Sequence, residues 1–400
     1  MTIPGPLSGY RILDMTTVVG GPYAAQMMGD FGADVIKIEA PGGDIVRQSG
    51  FSPDPGFGAL FMTLNRNKRS IVLDLKRTEA QLAMKALIQS ADAIITNIRP
   101  AALQRLGYAY DQVQAWNPDI IYVNMVGYGS DGPYADRAAY DDLIQAASGA
   151  TAMMSYVSPD GEYRYMPTLI VDKTVGLHVA NATLAALLHR ERTGDGQVVE
   201  VPMFECMVSF LMIEHLSGEV WKPALDSVGY KRMLHDRCKP FKTKDGYVAI
   251  IPYIEQHWLD LFTLGGREDM HADSRLSTMA QRRIHTKALY EIIESFMVDR
   301  TSAEWMPLLQ EHRIPHMLVN SLETLLEDEH LKATGFFEER HHPSQGDYIS
   351  MRPPIKFAAA PADVKAEPPP LGADGPQILR EIGISNDAIV SLTEVGALYP

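Results

Sequence analysis

One aspartate stands at the start of the strongest helical pattern in the chain. Asp172 lies in the segment PTLIVDKTVGL, directly before the apolar helical stretch 173–194. An aspartate in this position can cap the helix, because its side-chain oxygen accepts a hydrogen bond from a free backbone N–H. The helix N-terminus also favours the ionised carboxylate, which is the form that attacks a carbonyl carbon. The two roles are compatible, and we expect Asp172 to be an ionised helix N-cap.

A Gly-Gly-Pro turn follows the first predicted strand. Gly20 and Gly21 stand between Val19 and Pro22, and proline suits the first position of a helix. With a second strand ending at Glu39, this unit has the outline of a dinucleotide site. Such a site requires G-x-G-x-x-G, and the chain has VVGGP instead, which disfavours a nicotinamide-dependent enzyme. The turn still predicts a ligand-binding edge, because open α/β sheets bind ligands at the carboxyl ends of their strands.

Positive charge is concentrated in two stretches of an acidic chain. The first stretch, 66–77, is either a solvated face or an anion site, because Arg and Lys complement phosphates. A ligand with several phosphates would suit it, and Arg99 and Arg105 follow soon after. The second stretch, 231–237, could hold a carboxylate group, and a dicarboxylate such as succinate would suit it. The cations are Arg66, Lys68, Arg69, Lys76 and Arg77 in the first stretch, and Lys231, Arg232, His235 and Arg237 in the second.

The composition narrows the class of protein. The chain is 46% hydrophobic and 22% charged, which is typical of soluble globular proteins, and its net charge of −14 disfavours nucleic acid and membrane partners. Two cysteines, Cys206 and Cys238, cannot form a disulfide framework, and the start MTIPGPLSGY lacks the features of a secretory signal. We therefore expect a cytoplasmic enzyme. The histidines show no metal-ligand spacing with the cysteines, so we expect no metal.

The elements that must position these residues alternate between strands and helices. Short β-rich runs separated by helical patterns predict an α/β fold with a parallel sheet covered by helices. At 400 residues the chain is too long for one ordinary core, and the pattern changes at about 230–325, which predicts a smaller second domain. A Pro-rich stretch, 361–376, predicts an extended tether. We predict strands at 11–15, 34–39, 70–75, 93–97, 119–126 and 247–253, and helices at 78–92, 111–117, 173–194, 377–383 and 386–396.

Several sequence blocks follow one another in a fixed order, and such a series is more specific than any single motif. The blocks are LSGYRILDMTTVVGGPYAAQMMGDFGADVIKIEAPGGD, LNRNKRSIVLDLK, NIRPAALQRLG, VNMVGYGSDGPYADR, PTLIVDKTVGLHVANATLAALLHRERTGDGQVVEVPMFE and PPLGADGPQILREIG. Together they resemble the class III CoA-transferases of the CaiB/BaiF family. The resemblance covers most of 8–205 and the tail from about 350.

The resemblance implies a particular architecture. A large Rossmann-like domain would be built from both chain ends, with a smaller α+β domain between them and two subunits interlocked as a homodimer. The implied bounds are 1–215 and 335–400 for the large domain, 230–325 for the small domain, and 216–229 and 326–334 for the linkers.

The resemblance also implies an activity. Asp172 aligns with the family's catalytic aspartate, which attacks an acyl-CoA thioester and passes coenzyme A to a carboxylic acid. Coenzyme A and its esters would be substrates, with no permanently bound cofactor, and Gly20, Tyr140 and Asp141 would lie near the active site. The positions that match the family's CoA contacts are Val18, Val19, Leu73, Lys76, Asn97, Ile98, Arg99 and Arg105.

Two departures from the family bear on the substrate and the reaction. Transferases of the formyl-CoA and oxalate type carry a Gly-rich loop that the stretch 227–246 lacks, which disfavours that substrate pair. The family's α-methylacyl-CoA racemases have a histidine where this chain has Tyr140, and tyrosine is a poor base near neutral pH. A racemase that uses Asp172 as acid and base, and a CoA-ester-binding protein without activity, are the alternatives.

Overall fold

The computed structural model describes residues 5–399. It divides into two compact units: the larger contains residues up to 148, 167–209 and the stretch from 330 onward, and the smaller contains 149–166 and 210–329. Residues 1–4 and 400, at the ends of the expected large domain, lie outside the described residues. The stretch 149–166 groups with the smaller unit, although its position in the chain predicts the large domain. No shift in composition marks it.

Within residues 5–399, seven strands form one sheet in the larger unit, in the order β12-β3-β2-β1-β4-β5-β6. All neighbours from β3 to β6 are parallel, and β12 is antiparallel to β3. The order 3-2-1-4-5-6 is that of the Rossmann fold, in which the winding reverses between β1 and β4. The predicted parallel α/β sheet is therefore confirmed. The strands are β1 (Arg11–Met15), β2 (Asp34–Glu39), β3 (Lys68–Leu73), β4 (Ala93–Thr96), β5 (Ile121–Val126), β6 (Gln197–Pro202) and β12 (Leu398–Tyr399).

The helices of the larger unit follow the predicted alternation, with one difference that matters for the site. The long helix α8 begins at Ile170, three residues earlier than predicted. Across the described residues, no helix is both long and apolar enough to span a membrane. The helices are α1 (Gly20–Asp30), α2 (Ala59–Leu64), α3 (Ala80–Gln89), α4 (Pro100–Leu106), α5 (Tyr110–Trp116), α6 (Asp141–Ser148), α8 (Ile170–Thr193), α16 (Gly375–Glu381) and α17 (Asn386–Glu394), with α9 (Met203–His215) and α15 (Glu329–Ala333) at the unit boundaries.

Side-chain alternation gives the sheet one apolar face and a second face on which charged and polar groups lie among apolar ones. Leu13, Ile36 and Ile71 belong to a buried apolar core that includes side chains of α3, α4, α5, α16 and α17. Their neighbours along the strands point the other way, because successive side chains of a strand alternate between faces. On that second face Asp14 and Lys37 are fully buried, as are Glu39, Lys68 and Ser70.

The smaller unit has its own core around a three-stranded antiparallel sheet. Trp305, Phe262 and Leu289 are fully buried in this core. The predicted strand at 247–253 is confirmed in its first half, as β8. The elements are α7 (Ala150–Val157), β7 (Phe241–Lys242), β8 (Tyr247–Ile250), α10 (Glu255–Leu264), α11 (Met279–Ile284), α12 (Thr286–Met297), α13 (Ser302–Glu311), β9 (His316–Leu318) and α14 (Leu322–Leu325).

The chain then completes the larger unit. The unpredicted hairpin of β10 (Phe337–His342) and β11 (Gly346–Met351) precedes the Pro-rich tether. Residues 361–370 of the tether have no regular secondary structure, and the tether packs on its own chain. Asn67 accepts hydrogen bonds at Oδ1 from the N–H groups of Lys365 and Ala366, at 2.7 and 3.0 Å.

Candidate active site

The β1–α1 turn and the end of β4 meet where the strand order reverses. Asn97 donates from Nδ2 to the Thr17 carbonyl oxygen at 2.9 Å and accepts at Oδ1 from the Thr17 N–H at 3.1 Å. Ligands of open α/β sheets bind at this reversal point. The structure therefore brings three of the expected CoA-contact positions, Val18, Val19 and Asn97, to the edge where a ligand is expected.

Two glycines let α1 and α8 approach each other closely. A Cβ atom on Gly20 would lie 2.7 Å from Met125 Cε and 3.0 Å from the Asp172 carbonyl oxygen. A Cβ on Gly176, one turn into α8, would lie 2.7 Å from the Gly20 carbonyl oxygen. A side chain at position 176 would overlap the Gly20 carbonyl oxygen, so the first turn of α1 lies directly against the first two turns of α8. Gly20 is thus near Asp172, as the resemblance implies.

Asp172 is not the helix N-cap, and this part of the sequence prediction is wrong. The N-cap is Leu169, whose side chain makes no capping bond, and Asp172 lies inside the first turn of α8. The cap comes from another helix: Asp141, the first residue of α6, accepts the Asp172 N–H at Oδ1 at 3.0 Å. Gln145 Nε2 donates to the other Asp141 oxygen at 2.6 Å. Asp141 therefore accepts the hydrogen bond of a backbone N–H in the first turn of α8, and the Asp172 carboxylate does not cap the helix.

The charge on Asp172 also differs from expectation. Its side chain is buried, and no cation or hydrogen-bond donor of residues 5–399 pairs with its carboxylate. Burial, with a smaller contribution from the negative charge of Asp141, raises the pKa of Asp172 to about 6. The helix N-terminus favours the ionised form, but burial next to a second carboxylate outweighs it. Asp172 is a basic, unpaired carboxylate and not a stabilised one.

Tyr140 precedes α6 and exposes two-thirds of its surface, at 66%. Its carbonyl oxygen accepts the Ile144 N–H at 3.0 Å, in the first turn of α6. The structure thus distinguishes the two neighbours that the resemblance places beside the aspartate: Asp141 accepts a hydrogen bond from Asp172, whereas the described residues show no hydrogen bond between the Tyr140 side chain and Asp172.

The remaining expected CoA-contact positions differ in exposure. Lys76, Arg99 and Arg105 are exposed, and Ile98 is half-buried after β4. Leu73 is buried at 1% exposure in the apolar core, so a contact with a ligand there would have to use its main chain. Lys76, Ile98 and Arg99 all follow carboxyl ends of parallel strands, which places them at one edge of the sheet.

Most of the basic stretch 66–77 serves the fold and not an anion site. Arg66 pairs with Asp30 at 2.7 Å, and Lys68 is fully buried and pairs with Asp14 at 2.9 Å. Arg69 pairs with Asp34 and with Glu381, both at 2.7 Å. Side-chain alternation along β3 places Lys68 on the same buried face of the sheet as Asp14. Counting the charges in the sequence does not show this. Lys76 is the cation of this stretch for which the described residues show no carboxylate partner.

Glu39, the residue that would hold a nicotinamide ribose, is likewise occupied. It is buried and receives both Nε and Nη2 of Arg47, at 2.8 and 2.6 Å. Its oxygens also accept from the Asp44 N–H at 3.0 Å and from Ser70 Oγ at 2.8 Å. A carboxylate with four donors has no capacity left for a ribose.

The second basic stretch, in the smaller unit, is also largely neutralised. Lys231 pairs with Asp226 at 2.6 Å and Arg237 with Glu294 at 2.5 Å. Burial lowers the pKa of His235, which favours its neutral form. Arg232 is the cation of 231–237 for which residues 5–399 show no carboxylate partner.

Sequence reasoning missed the charged groups beneath the β1–α1 turn. Lys37 Nζ lies 3.0 Å from Asp44 Oδ2 and donates to the Thr16 carbonyl oxygen at 2.9 Å, and Asp44 Oδ1 accepts the Val18 N–H at 3.1 Å. A signal was present: charged residues alternate with apolar ones in DVIKIE, a strand expected to be buried on both faces. Such alternation predicts a buried charge that needs a partner.

The larger unit is thus a Rossmann-type α/β sheet with a buried aspartate, unpaired among residues 5–399, at the edge where open α/β sheets bind ligands. The chain matches the family model described as CoA-transferase family III over residues 7–375. It therefore belongs to CoA-transferase family III, as the sequence resemblance predicts.

Relatives and solved structures agree with this assignment. The probable fatty acyl-CoA transferase Rv3272 of Mycobacterium tuberculosis is 33% identical over 92% of this chain and 95% of its own. The formyl-CoA:oxalate CoA-transferase of Shigella sonnei is 31% identical over 98% and 99%. A crystal structure of Rv3272 superposes with a TM-score of 0.81 at 32% identity, covering 93% of this chain and 99% of that one. A CaiB/BaiF family protein from Brucella suis gives 0.80 at 28% identity, covering 95% and 100%.

Proposed function

We propose that the protein transfers coenzyme A from an acyl-CoA donor to a carboxylic acid, with Asp172 as the nucleophile. The observation that carries the proposal is the Asp172 carboxylate, which is buried where α8 meets the β1–α1 turn and has no counter-ion among residues 5–399. A buried charge without a partner is costly, so a site that retains one is a candidate for chemistry.

The reaction needs one carboxylate and no ATP. An Asp172 oxygen attacks the thioester carbonyl carbon, and the C–S bond breaks to release CoA thiolate and leave a mixed anhydride. The thiolate then attacks the aspartyl carbonyl carbon, which frees the first acid and forms an aspartyl-CoA thioester. The acceptor carboxylate attacks that thioester and expels the thiolate again. The thiolate finally attacks the acceptor's carbonyl carbon, giving the new acyl-CoA and restoring Asp172.

The environment of Asp172 suits each step. With a pKa of about 6 the group is mostly ionised at neutral pH, yet more basic than an ordinary aspartate and hence a better nucleophile. Backbone N–H groups at the start of α1 lie close by, because Gly20 packs against Asp172. The amides of Val19, Gly20 and Gly21 have no acceptor among the described residues. They are suited to stabilise the oxyanions that develop during acyl transfer.

We propose that coenzyme A binds along the sheet edge on either side of the reversal between β1 and β4. Its phosphates would meet the cations that lack internal partners, and the first turn would contact its thiol end. Arginine and lysine are the residues that phosphate recognition uses. The proposed contacts are Val18, Val19, Leu73, Lys76, Asn97, Ile98, Arg99 and Arg105.

For the acceptor we propose a carboxylic acid, with a dicarboxylate such as succinate as one member of the class. Within the stretch 231–237, Arg232 is the cation available to a carboxylate, because the other cations pair with acidic side chains or are favoured as neutral. The names of the relatives point to different acids, oxalate in one case and fatty acids in the other. The acceptor therefore has to be established on this chain.

We further propose the family's interlocked homodimer, with a large domain built from both chain ends and a smaller inserted domain, in the cytoplasm. The smaller unit supports a partner surface, because Ile213, Trp221 and Leu225 are 80%, 60% and 75% exposed, and large exposed apolar groups mark interfaces. The tether 361–376 does not carry this proposal, since it packs on its own chain. A folded monomer in sedimentation at nanomolar protein concentration would contradict the dimer.

A mass-spectrometric exchange panel tests the function. Acetyl-CoA, succinyl-CoA and palmitoyl-CoA are offered without ATP against short, dicarboxylic and long-chain acids. The proposal expects at least one pair to exchange coenzyme A, and Asp172→Asn to abolish that exchange while acyl-CoA still binds. If deuterium from heavy water enters the α-carbon of the acyl group and no coenzyme A is exchanged, the protein is a racemase and not a transferase. Binding with neither reaction would leave a CoA-ester-binding protein.

A further inference from the structure

The β1–α1 turn contains a valine in a backbone conformation that valine avoids. Val18 has a φ of +72°, in the left-handed region, where a β-branched residue is a genuine outlier. Its side chain is 37% exposed, so burial of the valine does not compensate for the strain. Such strained positions persist only where surrounding structure enforces them, and they cluster at functional sites.

Side chains from two other parts of the sheet hold this turn. Asp44 Oδ1 accepts the Val18 N–H at 3.1 Å, and Asn97 bonds both the N–H and the carbonyl of Thr17. Lys37 Nζ donates to the Thr16 carbonyl oxygen at 2.9 Å. Three successive residues of the turn are thus fastened through their main chain.

Lys37 and Asp44 form the centre of this arrangement. They are 0% and 1% exposed, and Lys37 Nζ lies 3.0 Å from Asp44 Oδ2. Burial alone would lower the pKa of Lys37, but the carboxylates of Asp14, Asp44 and Glu39 together raise it. Lys37 therefore stays charged, and its charge keeps Asp44 in place as the acceptor for the Val18 N–H.

The turn that this pair holds lies against the main chain of Asp172. The residues after Val18 are Val19, Gly20 and Gly21, whose amides have no acceptor in the described part of the chain. A Cβ on Gly20 would lie 3.0 Å from the Asp172 carbonyl oxygen. A rotation of the Val18 peptide would therefore displace these amides relative to Asp172.

We infer that the buried Lys37–Asp44 ion pair is a positioning element for the reaction at Asp172: it holds Val18 in the left-handed conformation and thereby fixes the Val19–Gly21 amides. The inference rests on the proposed function. Asp44 and Lys37 touch no reacting atom, and they act through the turn.

The test compares Asp44→Asn with a matched buried carboxylate. Asp30→Asn is the control, because Asp30 is 4% exposed and pairs with Arg66 at 2.7 Å at the opposite end of α1 from the turn. The assay uses whichever of acetyl-CoA, succinyl-CoA and palmitoyl-CoA the wild type uses fastest. We expect Asp44→Asn to lower kcat on the order of 10- to 100-fold, the loss expected when the Val19–Gly21 amides are misplaced by about an ångström. KM should change little. We expect Asp30→Asn to keep kcat.

Val18→Gly separates positioning from general destabilisation. Glycine adopts a positive φ without strain, so the loss of kcat caused by Asp44→Asn should be several-fold smaller in the Val18→Gly background. Hydrogen exchange supplies a readout besides activity: the amides of 16–20 should exchange faster in Asp44→Asn but not in Asp30→Asn.

Each outcome decides one point. If Asp44→Asn is folded and keeps wild-type kcat and amide exchange, the inference is overturned. An equal loss of kcat in both Val18 backgrounds overturns the role of strain. If wild type shows no transfer at all, the proposed function fails and the catalytic part of the inference with it. The amide exchange of the same variants then still decides whether the ion pair holds the turn.

Discussion

Two buried aspartates of the larger unit have opposite surroundings. Asp14, at 0% exposure, accepts from Lys68 Nζ at 2.9 Å and lies 3.9 Å from Lys37 Nζ. Burial would raise the pKa of Asp14, but the two lysines outweigh it and lower the pKa to about 2. Asp172, at 8% exposure, has no cationic partner within the described part of the chain, and burial together with Asp141 raises its pKa to about 6.

The difference separates a structural charge from a chemical one. Beneath the β1–α1 turn each charge has a partner, which fixes the geometry of the sheet edge. At the start of α8 the helix end is satisfied by Asp141, and Asp172 keeps an unpaired charge at a cost in stability. Burial by itself is therefore a poor guide to function, whereas burial without a partner is a good one.

The largest effect on stability is expected at Asp14. Asp14→Asn leaves two buried lysines near a neutral amide, and breaking a buried pair in this way typically costs about 3–5 kcal/mol. Denaturant unfolding at pH 7 measures the change. The control is Asp34→Asn, whose pairs with Arg11 and Arg69 are partly exposed, with 34% of the Asp34 side chain accessible. Exposed pairs contribute about 0–1 kcal/mol, so an equal loss in both variants would contradict the comparison.

At Asp172, in contrast, we expect a substitution to increase the free energy of unfolding. The pKa of Asp172 is about 6 in the native state and 3.8 for an ordinary aspartate. Between these two pH values the native state binds a proton that the unfolded state does not. The free energy of unfolding therefore falls as pH rises from 3.8 to about 6. Asp172→Asn removes the cost. It should be more stable than wild type by about 3 kcal/mol at pH 7–8 and nearly equal to it below pH 4, since one pKa unit is about 1.4 kcal/mol. Unfolding free energies across this pH range provide the measurement, and a variant less stable than wild type at pH 8 would refute the unpaired charge.

The cations repeat the contrast, with a smaller effect. Lys68 is buried in an ion pair with Asp14, whereas Arg105 is exposed in the last turn of α4. Arg105→Ala should weaken the binding of free coenzyme A by about 1–3 kcal/mol, the range for a hydrogen bond to a charged group. Arg192→Ala, an exposed arginine at the far end of α8, is the control for general charge effects. Unchanged affinity in a titration of Arg105→Ala would remove it from the site.

The smallest effect is a shift in pH dependence. Asp141→Asn keeps an oxygen that can accept the Asp172 N–H but removes the negative charge that raises the Asp172 pKa. The acid limb of kcat/KM should therefore move to lower pH, by less than the two units that separate 3.8 from about 6. Asp142→Asn, the exposed neighbour, should leave the profile in place. A shift to higher pH in Asp141→Asn would show that Asp141 does not act through its charge.

The sheet could be predicted from sequence because its signals are local. The bounds of β1 and β2 agree with the prediction, since each is a short β-rich run bounded by turn residues. The strand β12 could not be predicted, because two residues are too few to show an alternating pattern. Its partner β3 is also far away in the chain. The grouping of 149–166 with the smaller unit is likewise set by contacts distant in the chain.

The candidate site could be predicted only in its residue types. Asp172 and the glycine turn are visible in the sequence, but the role of Asp141 as the cap of α8 depends on two helices meeting. Reasoning from α8 alone therefore assigns the cap to Asp172 and the wrong sign to its pKa shift. The cations of 66–77 show the same limit, because their partners Asp14, Asp30 and Asp34 lie on other elements.

The most direct test of the account is chemical trapping at Asp172. Wild-type protein is mixed with the acyl-CoA donors of the exchange panel, quenched with hydroxylamine and digested, and the peptide that contains Asp172 is examined by mass spectrometry. The account predicts an aspartyl hydroxamate on Asp172 in wild type with at least one donor, and none in Asp172→Asn, which should still bind acyl-CoA. A hydroxamate on another residue, or normal transfer by Asp172→Asn, would contradict the assignment of Asp172 as the nucleophile.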